Sequence, residues 1–132
     1  MSNALPVSRR PVLCLALMLP LGVWAQSEAA SVPLEAAREA LRGGKLRVVD
    51  IREPAEHATG VAEGAQLLPM SQLSQRLGEL PGKDEPLLLV CRTQNRSRAT
   101  ALKLREAGYT RVQFVEGGMS EWVKRGWATV KP

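Results

Sequence analysis

The chain has 132 residues, a length that suits one domain and not two. It carries 18 Lys and Arg against 13 Asp and Glu, a net charge of +5. No basic run with interleaved aromatics exists, so nucleic acid is not an expected partner. One histidine and two cysteines cannot close a metal site, and no metal or organic cofactor is expected.

The chain opens on a basic pair, Arg9-Arg10, followed by an uncharged stretch from Val12 to Ala25 and a polar Gln26-Ser27-Glu28. Small residues Val23 and Ala25 flank Trp24. This order fits a secretory signal peptide, residues 1–25, cut after Ala25. The apolar run is 14 residues and contains Pro20, short of the roughly 20 residues a membrane helix needs. A periplasmic or secreted protein with no membrane contact after cleavage is therefore expected. Ser8 to Leu13 is similar to a twin-arginine export signal, and ordinary export stays open beside it. Cys14 leaves with the leader.

Cleavage removes two of the 18 basic residues and leaves 16 against 13 acidic ones. Cys91 is then the only thiol. A single cysteine in an oxidising compartment cannot form an internal disulfide, and without a use it is a liability.

Residues 26–31 read as a polar leader and 32–132 as the folded domain. Leu34, Ala37, Ala40 and Leu41 form a helical stripe stopped by Gly43-Gly44. Leu46 to Asp50 is a short strand rich in β-branched residues. Glu53-Pro54-Ala55-Glu56 starts a helical turn, with Pro at a tolerated position. Ala65 to Leu68 reads as a strand halted by Pro69. Ser71 is expected to cap a helix carrying Leu73, Leu77 and Leu80, broken by Pro81-Gly82.

Leu87-Leu88-Leu89-Val90 is an apolar run short enough for a buried strand. It delivers Cys91 into a polar loop. After Arg96-Ser97 the spacing of Ala99, Leu102, Leu104 and Ala107 predicts an amphipathic helix ending at Gly108. A cysteine between a strand end and a helix start faces unpaired N–H groups and the positive end of the helix dipole. Arg92, Arg96 and Arg98 crowd the same loop, a setting that favours the reactive thiolate. Arg111 to Val115 is a further strand. Gly117-Gly118 leads into a last helix, Met119 to Lys124, with Trp122 on its buried side.

Strands alternating with helices over about 100 residues imply an α/β fold, a central mainly parallel sheet with helices on both faces. Ligands of such sheets collect at the carboxyl ends of the strands, where Cys91 lies. Arg98, one turn into its helix, reads as an ordinary solvated charge. Trp122 and Trp127 read as packing residues.

Three segments resemble the motifs of rhodanese domains. Val49-Asp50-Ile51-Arg52-Glu53-Pro54-Ala55-Glu56, with Gly60 and Gly64-Ala65 before Pro69, resembles their opening motif. Val90-Cys91-Arg92-Thr93-Gln94-Asn95-Arg96-Ser97 resembles their active-site loop. Gly117-Gly118-Met119-Ser120-Glu121-Trp122, with Gly126 following, resembles their closing segment. The resemblance covers about Val32 to Ala128.

It implies a single rhodanese-like domain that transfers a sulfane sulfur through a persulfide on Cys91. The N–H groups of Arg92, Thr93, Gln94, Asn95, Arg96 and Ser97 would cradle the sulfur, with Arg96 closing the loop. Asp50 and Arg52 would brace the loop rather than react. The expected donor is a small anion such as thiosulfate, and the acceptor a thiol or cyanide, including a thiol on a partner protein.

Two positions depart from the family pattern. Val61 stands where a histidine is frequent, and His57, four residues earlier, is no replacement by register. Gln94 stands where many family loops have Gly, so it either takes an uncommon conformation or changes the loop shape. Other readings weighed are a persulfide carrier serving one protein partner with little free turnover, and a cysteine phosphatase or arsenate reductase of the same fold. The phosphatase pattern places five residues between Cys and Arg. Only four separate Cys91 from Arg96, a tight loop for a phosphate.

Overall fold

The computed structural model describes residues 3–4 and 29–132. Apart from Asn3 and Ala4, the expected signal peptide lies outside the described residues, as do Gln26 to Glu28.

Among the described residues five strands and four α-helices follow in chain order: β1 (Ala30–Val32), α1 (Leu34–Gly43), β2 (Arg47–Asp50), α2 (Pro54–His57), β3 (Gln66–Leu67), β4 (Leu87–Val90), α3 (Asn95–Glu106), β5 (Val112–Val115) and α4 (Gly118–Lys124). The strands form one parallel sheet in the order β1-β5-β4-β2-β3. The expected α/β architecture is the observed one. β4 lies at the centre, paired with β2 through Asp50 and Val90 and with β5 through Leu89 and Phe114.

The pleat alternates side chains between two cores. Leu87, Leu89 and Cys91 join Val49, Ile51, Leu104 and Phe114 under α3. Leu88 and Val90 join Val48, Leu34, Val115 and Trp122 under α1 and α4. Because both faces are covered, all four residues of β4 are buried. Trp122 packs edge-on against Trp127, ring centroids 5.0 Å apart, and its indole N–H donates to Ala128 O. The pair serves packing, as expected.

Three local expectations are corrected. Ala30 and Ser31, read as the end of a polar leader, are strand: Ala30 pairs with Gln113 and Ser31 with Phe114 on β5. An exposed edge strand has no apolar alternation to announce it, because its pairing depends on partners 83 positions away. Ser71 caps no α-helix. Met70–Gln75 and Leu77–Glu79 are two short 3-10 segments that meet at Arg76. Ser71 instead gives its N–H and hydroxyl to the Glu53 carboxylate, at 3.1 and 2.7 Å, and Arg76 turns back to Gln72 and Glu79. The segment is bracketed by Pro69 and Pro81 and leaves helical geometry at Arg76, φ −122° and ψ 22°, so each piece stays a short 3-10 turn. Finally, α3 begins at Asn95, so Arg96 and Ser97 belong to its first turn rather than to the loop before it.

Candidate active site around Cys91

Cys91 is the first residue beyond β4 and is 1% exposed. It is the free cysteine among the described residues. From there the chain turns through Arg92, Thr93 and Gln94 and enters α3. The first-turn amides of a helix lack intrahelical partners, and the Ser97 N–H uses this freedom to donate to Cys91 Sγ at 3.4 Å. Ser97 Oγ lies 3.4 Å from the same sulfur and donates to Gln94 O at 3.2 Å. Ser97 is fully buried. The sulfur thus rests inside the turn that α3 closes.

The outer side of the loop is held by α4. Met119 N–H donates to Cys91 O at 2.9 Å and Ser120 N–H to Arg92 O at 2.8 Å. This contact requires Gly118. A Cβ there would sit 2.1 Å from Thr93 O, 2.4 Å from Cys91 O and 2.7 Å from Arg92 O. The sequence marks Gly118 only as the start of a helix. Its tight approach to the loop carbonyls is visible only in three dimensions.

Gln94 has φ −153° and ψ −4°, negative in φ but outside both the extended and the helical regions. Among the described residues no residue other than Gly has positive φ. Gln94 thus takes an uncommon conformation, but not the left-handed one that Gly favours. Its side chain has a task that Gly lacks: Oε1 accepts the Gly117 N–H at 3.1 Å, tying the loop to the turn before α4.

Arg96 reaches across to α2. Nη1 donates to Glu56 Oε2 at 2.8 Å and Nη2 to Oε1 at 2.6 Å, a two-bond fork. The guanidinium holds the Glu56 carboxyl down from 4.5 to about 2, against the opposing effect of partial burial. Glu56 also accepts the Glu53 N–H at 2.9 Å, and Glu53 holds Ser71. The sequence places Glu56 in a helical turn and in the opening motif, with no partner assigned. Its role as the Arg96 counter-ion has a faint sequence signal, an acidic residue in the opening motif.

Asp50 and Arg52 form a separate buried pair. Arg52 Nε donates to Asp50 Oδ1 at 3.0 Å, and Nη2 donates to Oδ2 at 2.8 Å and to Gly60 O at 2.9 Å. Arg52 thereby ties the Gly60 carbonyl to Asp50, whose side chain shares the Val90 face of the sheet. His57 is 5% exposed, with Nε2 3.4 Å from Asp50 Oδ1 and not aligned for a hydrogen bond. Val61 is buried and bridges to Val130 through paired 2.8 Å bonds. Arg92, Thr93, Asn95 and Arg98 are exposed. Arg92 lines a cavity of about 500 Å³ with Arg52, Glu56, Gly60 and Ser120.

A parallel α/β sheet with a cysteine loop at the carboxyl end of its central strand narrows the class of protein, and comparison with known proteins completes it. The rhodanese-like domain family matches residues 33–125. A protein called sulfurtransferase from Allochromatium vinosum is 39% identical over 85 residues, 64% of this chain and 78% of that one. A rhodanese-related protein from Thermoplasma volcanium aligns with TM-score 0.66 and 25% identity, covering 78% of this chain and 99% of its own. The human single-domain sulfurtransferase TSTD1 gives TM-score 0.64 and 27% identity over 74% of this chain and 97% of its own. The chain belongs to the rhodanese-like domain family.

Proposed function

We propose that the protein is a sulfurtransferase that carries a sulfane sulfur on Cys91. The observation that carries this reading is the seat of the sulfur itself: a buried free cysteine at the end of β4, with the Ser97 N–H directed at Sγ. Membership of the rhodanese-like family and the likeness to proteins called sulfurtransferases support the same chemistry.

In the first half-reaction the Cys91 thiolate attacks the outer sulfur of thiosulfate, and sulfite leaves with the bonding electron pair. This is the displacement geometry of thiol–disulfide exchange and needs little acid–base help. Amides at the head of α3 face the negative charge that gathers around the transferred sulfur. Arg92, exposed beside the loop, attracts the anionic donor. In the second half-reaction a thiol, or cyanide, takes the outer sulfur and Cys91 is regenerated. Arg96 is already engaged by Glu56, so its part is to set the shape of the loop. A persulfide carrier serving one protein partner uses the same Cys91 chemistry and differs only in its acceptor. Residues 1–25 support a periplasmic or secreted location.

The test is intact mass spectrometry after treatment with thiosulfate. The expected result is a gain of one sulfur atom on the wild type, none on Cys91→Ser, and its removal by cyanide or a thiol. A folded wild-type protein that gains nothing rules out thiosulfate as donor.

A further inference from the structure

Thr129, Val130 and Lys131 lie beyond residues 33–125, the span that the family matches. All three are exposed, yet the chain around them is tied down. Val61 N–H donates to Val130 O and Val130 N–H to Val61 O, both at 2.8 Å, an isolated antiparallel bridge. The Trp122 indole N–H donates to Ala128 O at 2.9 Å, and Lys131 Nζ to Ala58 O at 3.2 Å. Exposed segments without such ties fray, so these bonds, rather than burial, hold this strap in place. Thr129 is pressed onto Gly60. A Cβ at Gly60 would lie 2.9 Å from Thr129 Oγ1, on a backbone at φ +134° that itself favours glycine. The Gly60 carbonyl is in turn held by Arg52 Nη2 at 2.9 Å.

The strap contributes to the cavity of about 500 Å³ beside the Cys91 loop. Thr129 lines it together with Arg92, with Thr59 of the turn after α2, and with Met119, Ser120 and Val123 of α4. The α4 side is the part of the helix that holds the loop, since Met119 N–H donates to Cys91 O and Ser120 N–H to Arg92 O. Arg52 and Glu56 also line the cavity, but their charges are taken up by Asp50 and Arg96. The Arg92 guanidinium has no partner among the described residues. One free cation, a set of hydroxyls and an apolar patch, Met119 with the 61% exposed Val123, therefore face one space. A cavity of this size takes an organic ligand and exceeds a bare thiosulfate ion.

We propose that the strap is a specificity element: Thr129 is the wall that selects donors carrying their sulfane sulfur on an organic body. That body lies between Thr129 and the apolar patch of Met119 and Val123, and its anionic head faces Arg92. This inference rests on the persulfide reading above. With an organic thiosulfonate the Cys91 thiolate attacks the outer sulfur and a new S–S bond forms. The bond from that sulfur to the sulfonyl sulfur breaks, and a sulfinate leaves with the electron pair. Cys91 holds the persulfide, and the exchange involves no net oxidation.

The experiment compares thiosulfate, methanethiosulfonate and benzenethiosulfonate as donors, each rate corrected for its reaction with a free thiol. In the wild type benzenethiosulfonate is expected to exceed methanethiosulfonate by about tenfold in kcat/KM, because the ring leaves water against the apolar patch. Thr129→Trp fills the space and should lower kcat/KM for benzenethiosulfonate about tenfold more than for thiosulfate. Val130→Pro removes one of the two bridge bonds, loosens the wall and should erase most of the preference for the larger thiosulfonate. Thermal melts of both variants separate these selective losses from unfolding. Equal corrected rates for the two thiosulfonates in the wild type, or losses in Thr129→Trp that are the same for all three donors, overturn the proposal. If none of the three adds a sulfur to Cys91 by intact mass, the persulfide reading fails at that step alone. The strap is then judged by calorimetric titration with benzenesulfinate. Binding that weakens about tenfold in Thr129→Trp supports it, and no binding to the wild type overturns it.

Discussion

Arg96 and Glu56, 40 residues apart in sequence, meet in a two-bond fork at 2.8 and 2.6 Å and join the first turn of α3 to α2. Through Glu53 the same turn also holds Ser71. This ion pair therefore ties the first turn of α3, which follows the Cys91 loop, to α2 and, through Glu53, to the 3-10 segment at Ser71.

This pair gives stability an acid limb. The folded chain keeps the Glu56 carboxyl at about 2 against an ordinary 4.5. The folded state thus binds fewer protons than the unfolded one, and the stabilisation is full above pH 4.5 and lost as the pH falls toward 2. With both side chains partly solvated, Glu56→Gln should cost about 1–2 kcal/mol near neutral pH. Urea titrations of wild type and variant should converge as the pH drops through that window. A constant gap across it would exclude this ion pair as the cause.

Gly118→Ala should be far more damaging than an ordinary glycine substitution. Its Cβ would overlap three loop carbonyls at 2.1 to 2.7 Å, on a backbone at φ +59°. Gly126, at φ +73° with nothing within 4 Å, is the control for backbone strain alone, about 1–2 kcal/mol. Gly118→Ala should exceed that control by at least about 2 kcal/mol in denaturant and abolish sulfur loading. Equal losses in the two variants would mean that the close approach is unimportant.

Gln94→Gly restores the residue more usual in the family loop and should still weaken this protein. The backbone at 94 has negative φ, so the freedom of Gly at positive φ is not used there, while Gly adds unfolded-state freedom and removes the bond to Gly117 N. The expected loss is about 1–2 kcal/mol. Gln94→Ala should lose the hydrogen-bond part alone. Thermal melts of the three proteins check the order, and a Gly variant as stable as wild type would contradict it.

Arg52→Met should be among the costliest single changes away from the loop. Asp50 is fully buried and Arg52 supplies its charge partner at 2.8 Å. Removing the guanidinium strands a buried carboxylate and the Gly60 carbonyl, a loss of about 3–5 kcal/mol. Asp50→Asn combined with Arg52→Met should recover part of it in urea denaturation. Strict additivity of the two losses would show that they do not act as a pair.

The sequence by itself determined the order of strands and helices, the parallel sheet and the place of Cys91. Each rests on local information: Leu87 to Val90 is too short and too apolar to be other than a buried strand, and α1 shows its stripe within ten residues. The family likeness was carried by contiguous motifs for the same reason. The tertiary structure decided what depends on partners distant in the chain. The pairing of Ala30 and Ser31 with β5 joins residues 83 positions apart, and Ser71 meets the Glu53 carboxylate instead of capping an α-helix. Gln94 is an unexpected residue until its bond to Gly117 is seen, and Gly118 is an ordinary helix start until three carbonyls crowd it. Local periodicity reports what a segment buries. Which polar group meets which is fixed only when the segments pack, because those bonds are directional and short.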